Sequence, residues 1–145
     1  MKIYLDFDGT VVEHQYPKIG RCNFGCMEVI KKLQDAGHEI ILNTYRADCN
    51  NGTLQDALRI LNEKAWMLRK GRSSDSAEFS LLPITKWEST KKHPQPWSWP
   101  MMKMFMEIWI DDIATGIPLK PAVMVSGNMV DWDRLDLEFQ ENGIY

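Results

Sequence analysis

A chain of 145 residues, 44% hydrophobic and 26% charged, fits one compact domain over residues 1–145 and is too ordinary in composition to be disordered or fibrous. Its net charge of -3 lacks the basic excess of a dedicated nucleic-acid binder. Asp6 and Asp8 interrupt any secretory signal at the start, and no apolar run reaches the roughly 18 residues of a membrane span, so the expected setting is the cytoplasm, away from membranes.

Residues 2–7 alternate Ile3, Leu5 and Phe7 against Lys2, Tyr4 and Asp6, the period of a strand. A turn-rich stretch with Gly9, Pro17, Gly20 and Gly25 follows. Phe24, Met27, Ile30 and Leu33 then recur at helical spacing, with Gly37 placed to end the helix. Residues 39–43 hold Ile40, Ile41 and Leu42 in a row, as in a strand covered on both faces. Thr53 is placed to cap a second helix whose stripe is Leu54, Ala57, Leu58 and Leu61. Residues 71–76 read as a polar loop and 78–84 as a third strand. Residues 86–100 carry prolines and tryptophans without a clean period. Residues 107–111 read as a fourth strand, 121–125 as a fifth, and 132–140 as a closing helix. No repeat is visible. Strands alternating with helices predict an α/β fold: a single Rossmann-like, three-layer α/β/α domain with a mainly parallel five-stranded sheet.

Cys22, Cys26 and Cys49 are odd in number and read as reduced thiols. A zinc site joining them to His14 or His38 is disfavoured, because C-x3-C is not the usual zinc spacing and no second pair follows.

Open parallel sheets carry their sites at the carboxyl ends of the strands. Asp6 and Asp8 close the first strand, Thr44 follows the second, and Asp111 and Asp112 close the fourth. Two carboxylates at about 4 Å repel by roughly 4 kcal/mol at an effective dielectric near 20. A divalent cation would relieve this, and an all-oxygen ligand set favours Mg²⁺ over softer metals. Gly9 allows a sharp turn after Asp8.

The run Asp6-Phe7-Asp8-Gly9-Thr10-Val11-Val12 resembles the first motif of the haloacid dehalogenase superfamily of phosphatases. Ile41-Leu42-Asn43-Thr44 is similar to its second motif, and Ile108-Trp109-Ile110-Asp111-Asp112 to its fourth. The longer run through Glu13, His14, Gln15, Tyr16 and Pro17 to Gly20 resembles very small members that lack a cap domain. These matches span residues 1 to about 125, in the family's order.

The resemblance implies a Mg²⁺-dependent phosphatase acting through an aspartyl-phosphate. Asp6 would attack phosphorus. Asp8 would protonate the leaving oxygen and then activate water. Mg²⁺ would be held by Asp6, the carbonyl of Asp8, Asp111 and Asp112, the last directly or through water. Thr44 and the amides around Gly9 and Thr10 would hold phosphoryl oxygens. The lysine of the third motif is expected at Lys103, with Lys86, Lys91 and Lys92 as alternatives.

Arg46 is a candidate bidentate clamp on the substrate phosphate. His14 and Tyr16 fall in the loop where the family has a mobile flap. Trp87, Trp97, Trp99 and Trp109 with Met101, Met102, Met104 and Met106 read chiefly as core, with a homo-oligomer surface or an apolar substrate wall as the alternative. Lys64, Arg69, Lys70 and Arg72 read as a solvated helix end. The expected partner is a phosphorylated substrate of open identity at an open, capless site. Two rivals are a receiver-like phosphoacceptor domain, which the order of the acids disfavours, and a non-catalytic module binding Mg²⁺ and phosphate.

Overall fold

The computed structural model describes residues 1–63, 81–92 and 98–145. Its centre is β1 (Lys2–Leu5), whose Ile3, Tyr4 and Leu5 are all buried. β1 pairs in parallel with β2 (Glu39–Asn43) on one side and β4 (Glu107–Ile110) on the other, with Ile3 opposite both Ile40 and Ile108. The short β3 (Trp87–Glu88) adds to the far edge of β2, also in parallel. The apolar residues of β1, β2 and β4 follow from burial on both faces, whereas β3 at the edge is not buried.

The sheet order is β3-β2-β1-β4. The chain therefore winds outward from β1 through β2 to β3, then returns to β4 on the opposite side of β1. Crossovers diverging from one pair of strands open a crevice at their carboxyl ends, the place where such sheets bind ligands.

The helices bury most of the stripes their sequences mark, although Leu58 is only half-buried and Ile60 is buried in its stead. α1 (Cys26–Asp35) covers the core with Cys26, Met27, Val29, Ile30 and Leu33 and stops just before Gly37, which takes a φ of +85°. Phe24 lies before it and is more exposed than the helical spacing suggests. A single turn, α2 (Arg46–Cys49), leads to α3 (Thr53–Asn62), which buries Leu54, Ala57, Ile60 and Leu61. Thr53 does not cap α3. Gly52 holds that position, while the Thr53 hydroxyl and N–H donate to Asn51 Oδ1 at 2.6 and 3.2 Å. A final helix, numbered after the last two strands as α4 (Trp132–Glu141), is capped by Asp131, which accepts from the Arg134 N–H at 3.1 Å. It lies beside α1, with Lys32 paired to Asp136 at 2.7 Å.

Two strands fall elsewhere than the sequence suggests. Residues 81–84 carry no strand, and 78–80 lie outside the described residues; β3 forms instead in the Pro/Trp-rich stretch. The strand expected at 121–125 is replaced by β5 (Leu119–Pro121), which pairs antiparallel with β6 (Asn128–Val130) in a separate hairpin. Among the described residues the parallel sheet thus has four strands. Pro121 lacks an N–H and can close a short ladder but not thread a central one.

The Trp/Met segment divides. Trp99 and Trp109 are buried, the latter stacked on Tyr4 with ring centroids 4.0 Å apart. Trp87, Met101, Met104 and Met106 remain exposed, and Trp97 lies outside the described residues, as do Lys64, Arg69, Lys70, Arg72 and residues 71–76. No helix among the described residues is long and apolar enough to cross a membrane.

The β5–β6 hairpin is locked to the loop after β1. Asn23 Nδ2 donates to the carbonyls of Thr10 (2.9 Å) and Val130 (2.8 Å), Trp132 Nε1 also donates to Thr10 O (2.8 Å), and the Val130 N–H donates to Gly9 O (2.9 Å). Asn23 is buried, so Asn23→Ala strands the Val130 carbonyl and leaves Thr10 O to Trp132 alone, as well as emptying space. Urea unfolding should show a loss of about 2–3 kcal/mol. A loss under about 0.5 kcal/mol, the level of a surface change, would mean the tie is unimportant.

Candidate active site

The loop after β1 turns sharply because the Phe7 carbonyl accepts the N–H groups of Thr10, Val11 and Val12. This turn stations Asp6 at the exit of β1, where its N–H donates to Ile110 O at 2.9 Å and extends the pairing with β4. Asp111 and Asp112 follow β4 directly. The two strand exits are neighbours, so carboxylates more than a hundred residues apart in the chain converge. One oxygen from each of Asp6, Asp111 and Asp112 lies within 4.8 Å of the others. Among the described residues no comparable group includes a cysteine or histidine; Cys22, Cys26 and Cys49 are free thiols.

This convergence is electrostatically costly. Burial, and then the charges of Asp111 and Asp112, push the Asp6 carboxyl well above its ordinary range, against hydrogen bonds from the Phe7 backbone and the Thr10 hydroxyl. Burial, aided by Asp112 and opposed by the Ile113 N–H, pushes Asp111 up to about 7. Three hard oxygen donors under mutual repulsion suit a small divalent cation.

Gly9 is required here twice over. Its φ is +82°, and a Cβ at this position would lie 2.5 Å from Asp112 Oδ2 and 2.7 Å from its Cγ.

The other expected site residues are placed less uniformly. Thr44 is buried at the exit of β2 and accepts the Arg46 N–H on Oγ1 at 3.2 Å, a bond that uses a lone pair and not the hydroxyl proton. Gly9 and Thr10 turn their amides inward: the Gly9 N–H donates to Val12 O at 2.7 Å and the Thr10 N–H to Phe7 O at 3.2 Å. The fully buried Thr10 hydroxyl donates to Asp6 Oδ2 at 3.0 Å, so Thr10 orients Asp6 and presents no free face to a substrate.

Asp8 does not join the acid cluster. Its carboxylate accepts two 2.7 Å bonds from Arg46, Nε to Oδ2 and Nη2 to Oδ1. The bidentate clamp expected of Arg46 thus exists, but it closes on Asp8, and the Arg46 side chain is fully buried. With its remaining donors taken by the carbonyls of Pro17, Lys18 and Thr53, the Arg46 guanidinium is committed to Asp8 and its neighbours and offers no free N–H to a phosphate in this structure.

Lys103 is at the wrong end of the sheet. It lies in the 3-10 turn Met101–Phe105 ahead of β4, with Nζ 3.4 Å from the carbonyl oxygen and Oδ1 of Asn142. In a parallel sheet the entry of β4 and the exit of β1 are separated by the strand length, about 13 Å for four residues. Lys86 likewise pairs with Glu39 at the entry of β2. Lys91, in the turn Thr90–Lys92 after β3, is at the same end as the acids and exposed. That turn is fastened to α2 by the Ser89 and Thr90 hydroxyls, which both donate to Asp48.

Glu13 is a supporting residue the sequence did not single out. It is fully buried, and its carboxylate accepts the backbone N–H groups of Val123 and Met124 at the tip of the β5–β6 hairpin. An acid directly after Val11 and Val12 was the available signal, but its partners lie 110 residues away.

Two outcomes test this geometry. A carboxyl raised in the folded state binds a proton that the unfolded chain has already released. Between the ordinary value of 3.8 and about 7, stability of metal-free protein should therefore fall as pH rises. In a chelator the Tm should drop by several degrees across that window, and less so for Asp111→Asn; an equal drop in both proteins contradicts the assignment. Gly9→Ala should cost at least about 1–2 kcal/mol from its left-handed φ alone and should also weaken Mn²⁺ binding by displacing Asp112. A stability loss with unchanged Mn²⁺ affinity would show that Gly9 and Asp112 are independent.

No protein-family model and no curated protein matches the chain. Among solved structures it is similar to the "conserved protein coded by locus from Bacteroides thetaiotaomicron", at 23% identity and a TM-score of 0.52, covering 98% of this chain and 91% of that one. Likeness at that identity speaks to the fold, which is α/β with a mainly parallel sheet.

Proposed function

We propose that the chain is a Mg²⁺-dependent phosphohydrolase of the haloacid dehalogenase type, capless and Rossmann-like, working in the cytoplasm on a phosphate monoester. The observation that carries this reading is the meeting of Asp6, Asp111 and Asp112 within 4.8 Å at the point where the sheet's winding reverses. The first, second and fourth motifs that resemble the family are there brought to one end of one sheet.

Asp6, Asp111 and Asp112 would hold Mg²⁺, which supplies the positive charge that lets a carboxylate approach a phosphate dianion. Thr10 orients the Asp6 carboxylate for attack on phosphorus, forming an aspartyl-phosphate as the leaving oxygen departs. Asp8 gives that oxygen a proton and later takes one from the water that hydrolyses the intermediate. The Thr44 hydroxyl donates to a phosphoryl oxygen, and Lys91, exposed in the turn after β3, offsets the remaining charge. Among the described residues none closes over this end as a cap domain would, and an open site suits a bulky phosphorylated substrate as well as a small one. The exposed Met101, Met104 and Met106 are no substitute for a cap: their turn stands at the opposite end, so a homo-oligomer formed through them leaves the acids open.

A second reading, a non-catalytic module that binds Mg²⁺ and phosphate, has one observation in its favour: both oxygens of Asp8 are held by Arg46. Hydrolysis of p-nitrophenyl phosphate separates the two. The phosphohydrolase reading expects Mg²⁺-dependent turnover that falls by about a thousandfold or more in Asp6→Asn and is abolished by a chelator. Mg²⁺ binding without turnover supports the module, and turnover that survives Asp6→Asn contradicts both.

A further inference from the structure

The buried Arg46 has a place in neither the acid cluster nor any phosphate-facing surface, yet it is the most completely committed polar side chain near the site. All five of its N–H groups point at acceptors. Nε and Nη2 take the two Asp8 oxygens; Nη2 also reaches Lys18 O at 2.8 Å, and Nη1 reaches Pro17 O at 3.2 Å and Thr53 O at 3.5 Å. The guanidinium carbon is 5.1 Å from the Phe7 ring centroid and 5.2 Å from that of Tyr16. A planar fork so surrounded cannot tilt without leaving a buried donor unpaired. Asp8 is thereby fixed in orientation, and the same guanidinium fixes it relative to the loop at Tyr16, Pro17 and Lys18.

Resting on the phosphohydrolase reading, we propose that Arg46 is a positioning residue for the second half of the reaction: it orients Asp8 for the attack of water on the aspartyl-phosphate and makes that orientation depend on the 16–18 loop. Each carboxylate oxygen keeps a lone pair beyond the one given to Arg46. In this step the water oxygen bonds to phosphorus, its proton passes to Asp8, and the phosphorus–oxygen bond to Asp6 breaks, its electron pair returning to the Asp6 carboxylate. The first half, with a leaving group that departs as a stable anion, asks nothing of Asp8. Loss of the fork should therefore slow hydrolysis of the intermediate selectively.

The test uses 2,4-dinitrophenyl phosphate with Mg²⁺, following phenolate release before the steady state and intact mass during it. In Arg46→Lys, which keeps the charge but not the fork, the expected result is a burst approaching one phenolate per chain. Steady turnover should then run about thirtyfold or more below wild type, and the phosphorylated chain should accumulate in the mass spectrum. Tyr16→Leu, which acts from the loop side and leaves Arg46 and Asp8 intact, should give a smaller effect of the same kind, and it decides the matter if Arg46→Lys does not fold. Burst and steady rate falling together in the variants, or neither falling, overturns the inference while wild-type turnover leaves the phosphohydrolase reading standing. Absence of Asp6-dependent turnover in the wild type overturns both.

Discussion

Three carboxylates held within 4.8 Å in a partly buried crevice are the constraint around which this molecule is organised. Their repulsion opposes folding, and burial enlarges it, as the upward displacement of Asp6 and Asp111 records. Such a cluster persists only where the backbone leaves its members no alternative. Asp6 is fastened by the ladder bond to Ile110 O, Asp111 follows a strand whose every partner is fixed, and Asp112 lies over a glycine that admits no side chain. The cost is local and the compensation is spread over the core. Strain concentrated in this way is the usual mark of a functional site.

The remaining architecture serves that placement. The loop after β1 is braced from three directions: Asn23 and Trp132 converge on the Thr10 carbonyl, Glu13 seizes the tip of the β5–β6 hairpin, and Arg46 binds Asp8. Hydrogen bonds of this kind, buried and fully directed, fix orientation more than they add stability. The two ends of the sheet consequently differ in character. The exit end gathers acids, a buried hydroxyl and a buried guanidinium, whereas the entry end presents the exposed Met101, Met104 and Phe105 and carries Lys103 and Lys86. That separation assigns the chemistry proposed here to the exit end and leaves the apolar turn for other purposes.

Much of this was legible in the chain itself. β2 and β4 announce themselves as apolar runs and β1 as an alternation, each followed by a polar residue, and α1 and α3 largely follow their apolar spacing. Asp6, Asp111 and Asp112 could be grouped because strand exits in a parallel sheet share one side. What failed to show was anything decided by long-range pairing. β3 is two residues long and lies among prolines and tryptophans, too short to carry a period. Residues 121–125 read as an apolar strand, but only Pro121 belongs to one: the strand is β5, paired with β6 in a hairpin, and Val123 and Met124 are exposed beyond it. Lys103 is close to Asp111 in sequence and at the far end of the sheet in space, because eight residues of chain include the whole of a strand. Arg46 and Asp8 are separated by 38 residues, so a residue-type argument could assign the arginine a clamp but not its target. Glu13 and Asn23 act through backbone groups, which leave no mark on the sequence of their partners.

The central claim is that Asp6, Asp111 and Asp112 constitute one divalent-cation site. Calorimetric titration of the metal-free chain with Mg²⁺ near neutral pH, in two buffers of different ionisation enthalpy, tests it most directly, because ligands whose protons are retained must release them on binding. The account predicts a single ion per chain, with proton release that diminishes in Asp111→Asn. Absence of binding, or binding indifferent to the loss of the Asp111 carboxylate, would contradict it.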